Sequence, residues 1–71
     1  MTDDNLIRMT KQIAEFFAPY GHDASVEGIA EHIRSFWDPR MRAALLEKAN
    51  QEPKAFQPVV LEAVKKLAAA R

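Results

Sequence analysis

Apolar side chains recur at three- and four-residue steps along most of this chain, and the breaks between those stretches fall at prolines. Leu6, Met9, Ile13, Phe16, Phe17 and Tyr20 share one face, with Arg8, Lys11, Gln12 and Glu15 on the other. This predicts an amphipathic helix over roughly residues 4–18. Asp3 and Asp4 suit its positive N-terminal end, and Pro19 disfavours helical geometry at Ala18. Pro19, Tyr20, Gly21 and Asp23 are then expected to form a turn.

A second helix is predicted over roughly residues 25–37, with Val26, Ile29, Ala30, Ile33, Phe36 and Trp37 on its apolar face and Asp23 or Ser25 as cap. Asp38-Pro39 ends this helix and opens a third, over roughly 39–50, with Asp38 as N-cap and Pro39 as first helical residue. Gln51-Glu52-Pro53-Lys54 interrupts the third helix. Pro58 opens a fourth, over roughly 58–70, with Phe56 placed to staple onto Leu61. Lys65, Lys66 and Arg71 complement the C-terminal dipole of that last helix. Its apolar residues, Val59, Val60, Leu61, Ala63, Val64, Leu67 and Ala68, cover more of its circumference than a single packing face needs.

A shift of twenty residues lays Ile13-Ala14-Glu15-Phe16-Phe17-Ala18-Pro19 over Ile33-Arg34-Ser35-Phe36-Trp37-Asp38-Pro39. Two copies make no repeat array, and a common helical period with a common stop signal yields the same match. The consequence is geometric: both aromatic pairs sit at helix C-termini. No strand-type alternation, glycine-rich loop or low-complexity segment occurs, so the expected fold is all-α, a single helical domain spanning residues 1–71 and built as a bundle of about four helices.

A chain of 71 residues buries only about 60% of its unfolded surface, and such cores contribute roughly 3–5 kcal/mol unless something is added. With no cysteine present, disulfides are excluded, which leaves a metal, a partner or close helix packing. The acidic start, Met1-Thr2-Asp3-Asp4, lacks the basic and apolar regions of a secretory signal, and no apolar run approaches the roughly 20 residues of a membrane span. A cytoplasmic protein with no membrane contact is expected.

Ten basic and ten acidic residues cancel, which argues against a dedicated nucleic-acid binder. The charges are unevenly placed, however. Residues 1–33 carry six acidic and two basic side chains, and the remainder eight basic and four acidic. Opposite-sign faces of this kind orient a docking partner.

Candidate chemistry is sparse. His22 is expected in the first turn and His32 on the polar side of the second helix, short of the converging ligands a zinc site needs. There is no cysteine nucleophile, no helical His-Glu-x-x-His, no phosphate-cradling loop, and no base at a recognisable spacing from Ser25 or Ser35. No catalytic, metal-binding or cofactor-binding residue is nominated, and the chain is not expected to be an enzyme by itself.

The segment His32-Ile33-Arg34-Ser35-Phe36-Trp37-Asp38-Pro39-Arg40-Met41-Arg42 needs a separate account. A short corner between helices with Arg34, Arg40 and Arg42 beside it resembles the start of a helix-turn-helix, which keeps a small nucleic-acid-binding or regulatory protein as the alternative reading. Against it, Phe36 and Trp37 belong to the apolar face by period, and Asp38 opposes phosphate. Arg42 precedes Leu45 and Leu46 by three and four residues, so it lies against their apolar stripe. Either its stem covers the core and its head reaches water, or its planar fork meets a carboxylate or backbone carbonyls, within the domain or on another chain. Aromatic residues and arginine anchor protein interfaces. A docking module is therefore the leading reading, with Phe36 expected in the core and Trp37, Arg40 and Arg42 nominated as partner interface. Whether the isolated chain self-associates stays open.

Leu6-Ile7-Arg8-Met9, Gln12-Ile13-Ala14, Phe16-Phe17, Ile29-Ala30, His32-Ile33 and Phe36-Trp37-Asp38-Pro39-Arg40-Met41-Arg42 ahead of Leu45-Leu46 resemble the small delta subunit of soluble, molybdenum-containing NAD-dependent formate dehydrogenases. The resemblance runs through residues 5–46 and continues to the C-terminus in length and helical character. Phe36-Trp37-x-Pro39-Arg40-Met41-Arg42 is its most specific part. It implies a cytoplasmic accessory chain of a complex that oxidises formate to carbon dioxide and reduces NAD. In that complex the molybdenum cofactor, iron-sulfur clusters, FMN and NAD belong to larger subunits. The delta subunit would bind the large molybdenum-containing catalytic subunit and support assembly, cofactor retention or activity.

Overall fold

All four prolines of the chain fall at helix breaks, where a missing N–H and a fixed φ cost least. The computed structural model describes residues 3–69, with side chains from Asn5 onward. Among them are four α-helices: α1 (Asp3–Phe17), α2 (His22–Phe36), α3 (Pro39–Gln51) and α4 (Pro58–Ala69), with short 3-10 turns at Ala18–Tyr20 and Pro53–Ala55. The all-α bundle expected from periodicity is the fold observed. The contributions expected of the Asp3, Asp4 and Arg71 side chains lie outside the described residues. No described helix is long and apolar enough to cross a membrane.

α2 begins at His22, three residues before the expected start, and neither Asp23 nor Ser25 caps it. Gly21 is the N-cap, at φ +95°, a conformation that side-chain-bearing residues rarely adopt. This lets the chain reverse in a shorter turn, so the next helix starts sooner. His22 is thereby the first residue of α2, where its Nε2 faces the Glu62 carboxylate of α4. Released from the capping role, the Ser25 hydroxyl donates to the Phe17 carbonyl at 2.8 Å and closes the C-terminal end of α1.

α2 packs most extensively on α4, α1 lies against both, and α3 lies against α4. Val26, Ile29, Ala30 and Ile33 of α2 meet Val60, Ala63, Val64 and Leu67 of α4 in the core, joined by Leu45, Ala49 and Phe56. Three neighbouring helices explain the broad apolar surface of α4, since Val59 and Leu61 also pack against the core. Most of what looked like excess is used within the chain. Lys66 of α4 also pairs with Glu27 of α2 at 2.7 Å, which links the basic second half of the sequence to the acidic first half.

On α1 the buried stripe is Leu6, Thr10 and Ala14, rotated from the expected face of large residues. Small side chains here allow close helix approach, and the Thr10 hydroxyl stays satisfied by donating to the Ile7 carbonyl at 2.9 Å. Phe16 and Tyr20, placed on the apolar face by period, are exposed, and Met9 and Ile13 are half-buried.

Candidate docking site

The backbone leaves the helical conformation at the C-terminal end of α2. Phe36 is the last helical residue, and Trp37 takes an extended conformation, φ −90° and ψ 140°, as the C-cap. Trp37 stands four residues after Ile33 and seven after Ala30, in line with the buried stripe of α2, and is 6% exposed, whereas Phe36 lies at the edge of that stripe and is 77% exposed. The expected assignment is thus reversed: Trp37 is core and Phe36 is surface. The end of α1 shows the same division, with Phe17 half-buried and Phe16 67% exposed.

The corner after Trp37 is closed from both sides. Asp38 Oδ1 accepts from the Met41 backbone N–H at 2.8 Å, the N-cap expected from sequence. Arg42, in the first turns of α3, donates from its guanidinium to the Arg34 carbonyl at 2.9 Å and approaches the Trp37 carbonyl at 3.5 Å. Of the alternatives left open for Arg42, contact with backbone carbonyls within the chain is the one observed, made through the single nitrogen Nη1. A cation at the negative end of α2 is favourable there, and it occupies a carbonyl the helix leaves unpaired.

The three nominated residues therefore occupy different environments. Trp37 is buried in the chain, Arg42 is half-buried and turned to the backbone, and Arg40 is exposed, with no ion pair or side-chain hydrogen bond among the described residues. Arg34 pairs with Glu31, and the Glu31 carboxyl is held below its ordinary pKa by the Arg34 hydrogen bond first, then by the Arg34 charge and a hydrogen bond from Ser35. Arg34, Arg40 and Arg42 do not form one free basic patch. Among the described residues, no group of three or more His, Cys, Asp or Glu side chains converges as a metal-ligand set.

Instead, α1 and α2 together build an apolar groove of about 560 Å³. Met9, Ile13, Phe17 and Trp37 line it, Phe16 and Phe36 stand exposed along it, and Gln12 and His32 supply its polar atoms. His32, expected to be solvated, is half-buried and lies over the Phe36 ring, with centroids 4.9 Å apart. Phe16 and Phe17 meet edge to face, 5.0 Å between centroids. Periodicity assigned Met9, Ile13 and Phe16 to the same buried face as Leu6. The signal for a groove was that these residues make an arc wider than one helix contact requires.

Phe17 is held by its position over α2. A Cβ at Gly28 would come within 2.5 Å of the Phe17 ring, so the ring occupies space that only glycine leaves open. The Ser25 bond to the Phe17 carbonyl fixes the same residue from the backbone side.

Comparison with known proteins gave no significant match among curated proteins or among solved structures. The sequence model of one family does match, over residues 5–64, which includes α2, α3 and the whole corner between them. This chain belongs to that family, the NADH-dependent formate dehydrogenase delta subunit, FdsD.

Proposed function

We propose that this chain is a non-catalytic accessory subunit that binds the large molybdenum-containing subunit of a cytoplasmic formate dehydrogenase and supports its assembly, cofactor retention or activity. The family match over residues 5–64 is the observation that carries this reading. The exposed aromatic side chains are its physical support, because large apolar surface left in water is characteristic of a chain that completes its packing against another. Of the nominated residues, Arg40 is free to meet a partner directly. Trp37 and Arg42 serve by holding the α2–α3 corner in shape.

The experiment is co-purification of a tagged chain with the large subunit, washed at low and at high salt. Stoichiometric recovery through high salt identifies a permanent subunit held by apolar contact. Recovery at low salt alone identifies a maturation factor that leaves the finished enzyme. Absence at both salts would remove the reading, and formate turnover by the isolated chain would contradict its non-catalytic part.

A further inference from the structure

We infer that the α1–α2 groove is the surface by which this chain engages the large formate dehydrogenase subunit, and that it receives an apolar, uncharged helical segment of that subunit; the inference rests on the accessory-subunit reading above. The first observation is charge. The chain has ten basic and ten acidic residues, yet none of those described lines the groove, whose polar atoms come from Gln12 and His32. A charged segment seated there would lose water and gain no counter-charge. An uncharged apolar segment loses little.

The second observation is the nature of the walls. Both are helices whose backbone groups are already paired along their length, so the groove presents no free backbone edge. An extended segment buried there would leave its own N–H and C=O groups unsatisfied, whereas a helix brings them paired. Met9 and Phe16 stand seven positions apart on α1, or about two turns at 1.5 Å per residue. The occupant is expected to offer apolar residues at i, i+3 or i+4, and i+7.

The third observation is area, which separates this occupant from a second copy of the chain. Phe16 and Phe36 are 67% and 77% exposed; with a full aromatic side chain burying about 150–250 Å², they offer on the order of 300 Å² between them. A stable interface takes about 800 Å² from each partner. Two copies meeting flat on these aromatics fall well short. A helix laid between α1 and α2 also covers Met9, Ile13 and the polar rim.

The test uses the full chain and the co-purification described above. Phe16→Glu and Phe36→Glu change exposed positions, and each is expected to lower recovery with the large subunit at least about tenfold. Lys11→Glu, on an exposed part of α1 outside the groove, is expected to leave recovery unchanged. Equal recovery of wild type and both groove variants would overturn the groove while leaving the accessory reading intact. Failure of the wild type itself would overturn both. Should either variant lose its helical circular dichroism, hydroxyl-radical footprinting of the wild type decides instead. Protection of Phe16 and Phe36 in the complex supports the proposal, and unchanged labelling overturns it. A dimer of the isolated chain that Phe36→Glu dissolves, with recovery by the large subunit unaffected, would assign the groove to a second copy and overturn the helical occupant.

Discussion

The guanidinium of Arg42 donates to the carbonyl of Arg34, eight residues earlier, at 2.9 Å. Ser25 does the same to Phe17, also eight residues earlier, at 2.8 Å. Each of the first two helices thus has a C-terminal carbonyl met by a side chain from the helix that follows. A helix end leaves up to four carbonyls unpaired, and partnering one of them joins two elements at the same time. With the Asp38 cap, the Arg42 contact closes the α2–α3 corner around Trp37, and the Ser25 contact closes the end of α1.

Arg42→Ala is expected to destabilise the chain by about 1–2 kcal/mol, because it removes a charge-assisted bond at a helix terminus and a cation from its negative end. Urea denaturation monitored by circular dichroism measures this through the midpoint. An unchanged midpoint would mean that the bond is replaced by water at no cost. Arg42→Lys should recover only part of the loss, since a compact ammonium keeps the charge but not the reach and direction of the Nη1 donor.

Trp37 and Phe36 should respond in opposite ways to truncation. Trp37→Ala is expected to cost about 3–5 kcal/mol, enough to unfold a domain of this size, whereas Phe36→Ala should stay within about 0.5 kcal/mol. Thermal melts of the two variants decide it. A stable Trp37→Ala with a collapsed Phe36→Ala would invert the assignment of the two rings.

Gly28→Ala sets two effects against each other. Alanine favours the helix by about 1 kcal/mol relative to glycine, but its Cβ would lie 2.5 Å from the Phe17 ring. Overpacking costs roughly 1–3 kcal/mol, so the net change should be destabilising. In a Phe17→Ala background the clash disappears and the same substitution should stabilise. A double-mutant cycle by chemical denaturation measures the coupling, and simple additivity of the two changes would refute the contact.

Glu31 provides a pH-dependent test. Its carboxyl is held below the ordinary glutamate value chiefly by the Arg34 hydrogen bond, with the Arg34 charge and Ser35 adding to it. A group depressed in the folded state contributes stability that is present above its unfolded pKa and is lost as pH falls through the folded one. The side chain is fully exposed, so solvent screens the effect and the readout should be the titration itself. Following the Glu31 carboxyl by NMR, its midpoint should rise towards the ordinary value in Arg34→Ala and by less in Ser35→Ala. An unmoved midpoint in Arg34→Ala would show that the pair does not persist in solution.

The number and order of the helices follow from local features readable in the chain. Four prolines stop or start elements because they lack an N–H, Asp38 caps because its carboxylate reaches the N–H three residues on, and Ile29, Ile33, Leu45 and Val60 fall inward by period. The aromatic and arginine residues of the Phe36–Arg42 segment likewise carry the resemblance to the delta-subunit family, whose match covers residues 5–64. Period also ranks the members of each aromatic pair, since Phe17 stands three residues after Ala14 and Trp37 four after Ile33, in line with the buried stripes. Tertiary packing decided how far Phe16 and Phe36, at the edges of those stripes, are left exposed. It also decided that Ser25 caps α1 instead of opening α2, since a positive φ at Gly21 moved the helix start. The groove depended on it as well: Met9, Ile13 and Phe16 resemble core residues on a helical wheel. Only the close seating of Thr10 and Ala14, with Phe17 over Gly28, leaves those larger side chains at the edge of the contact and available to another chain.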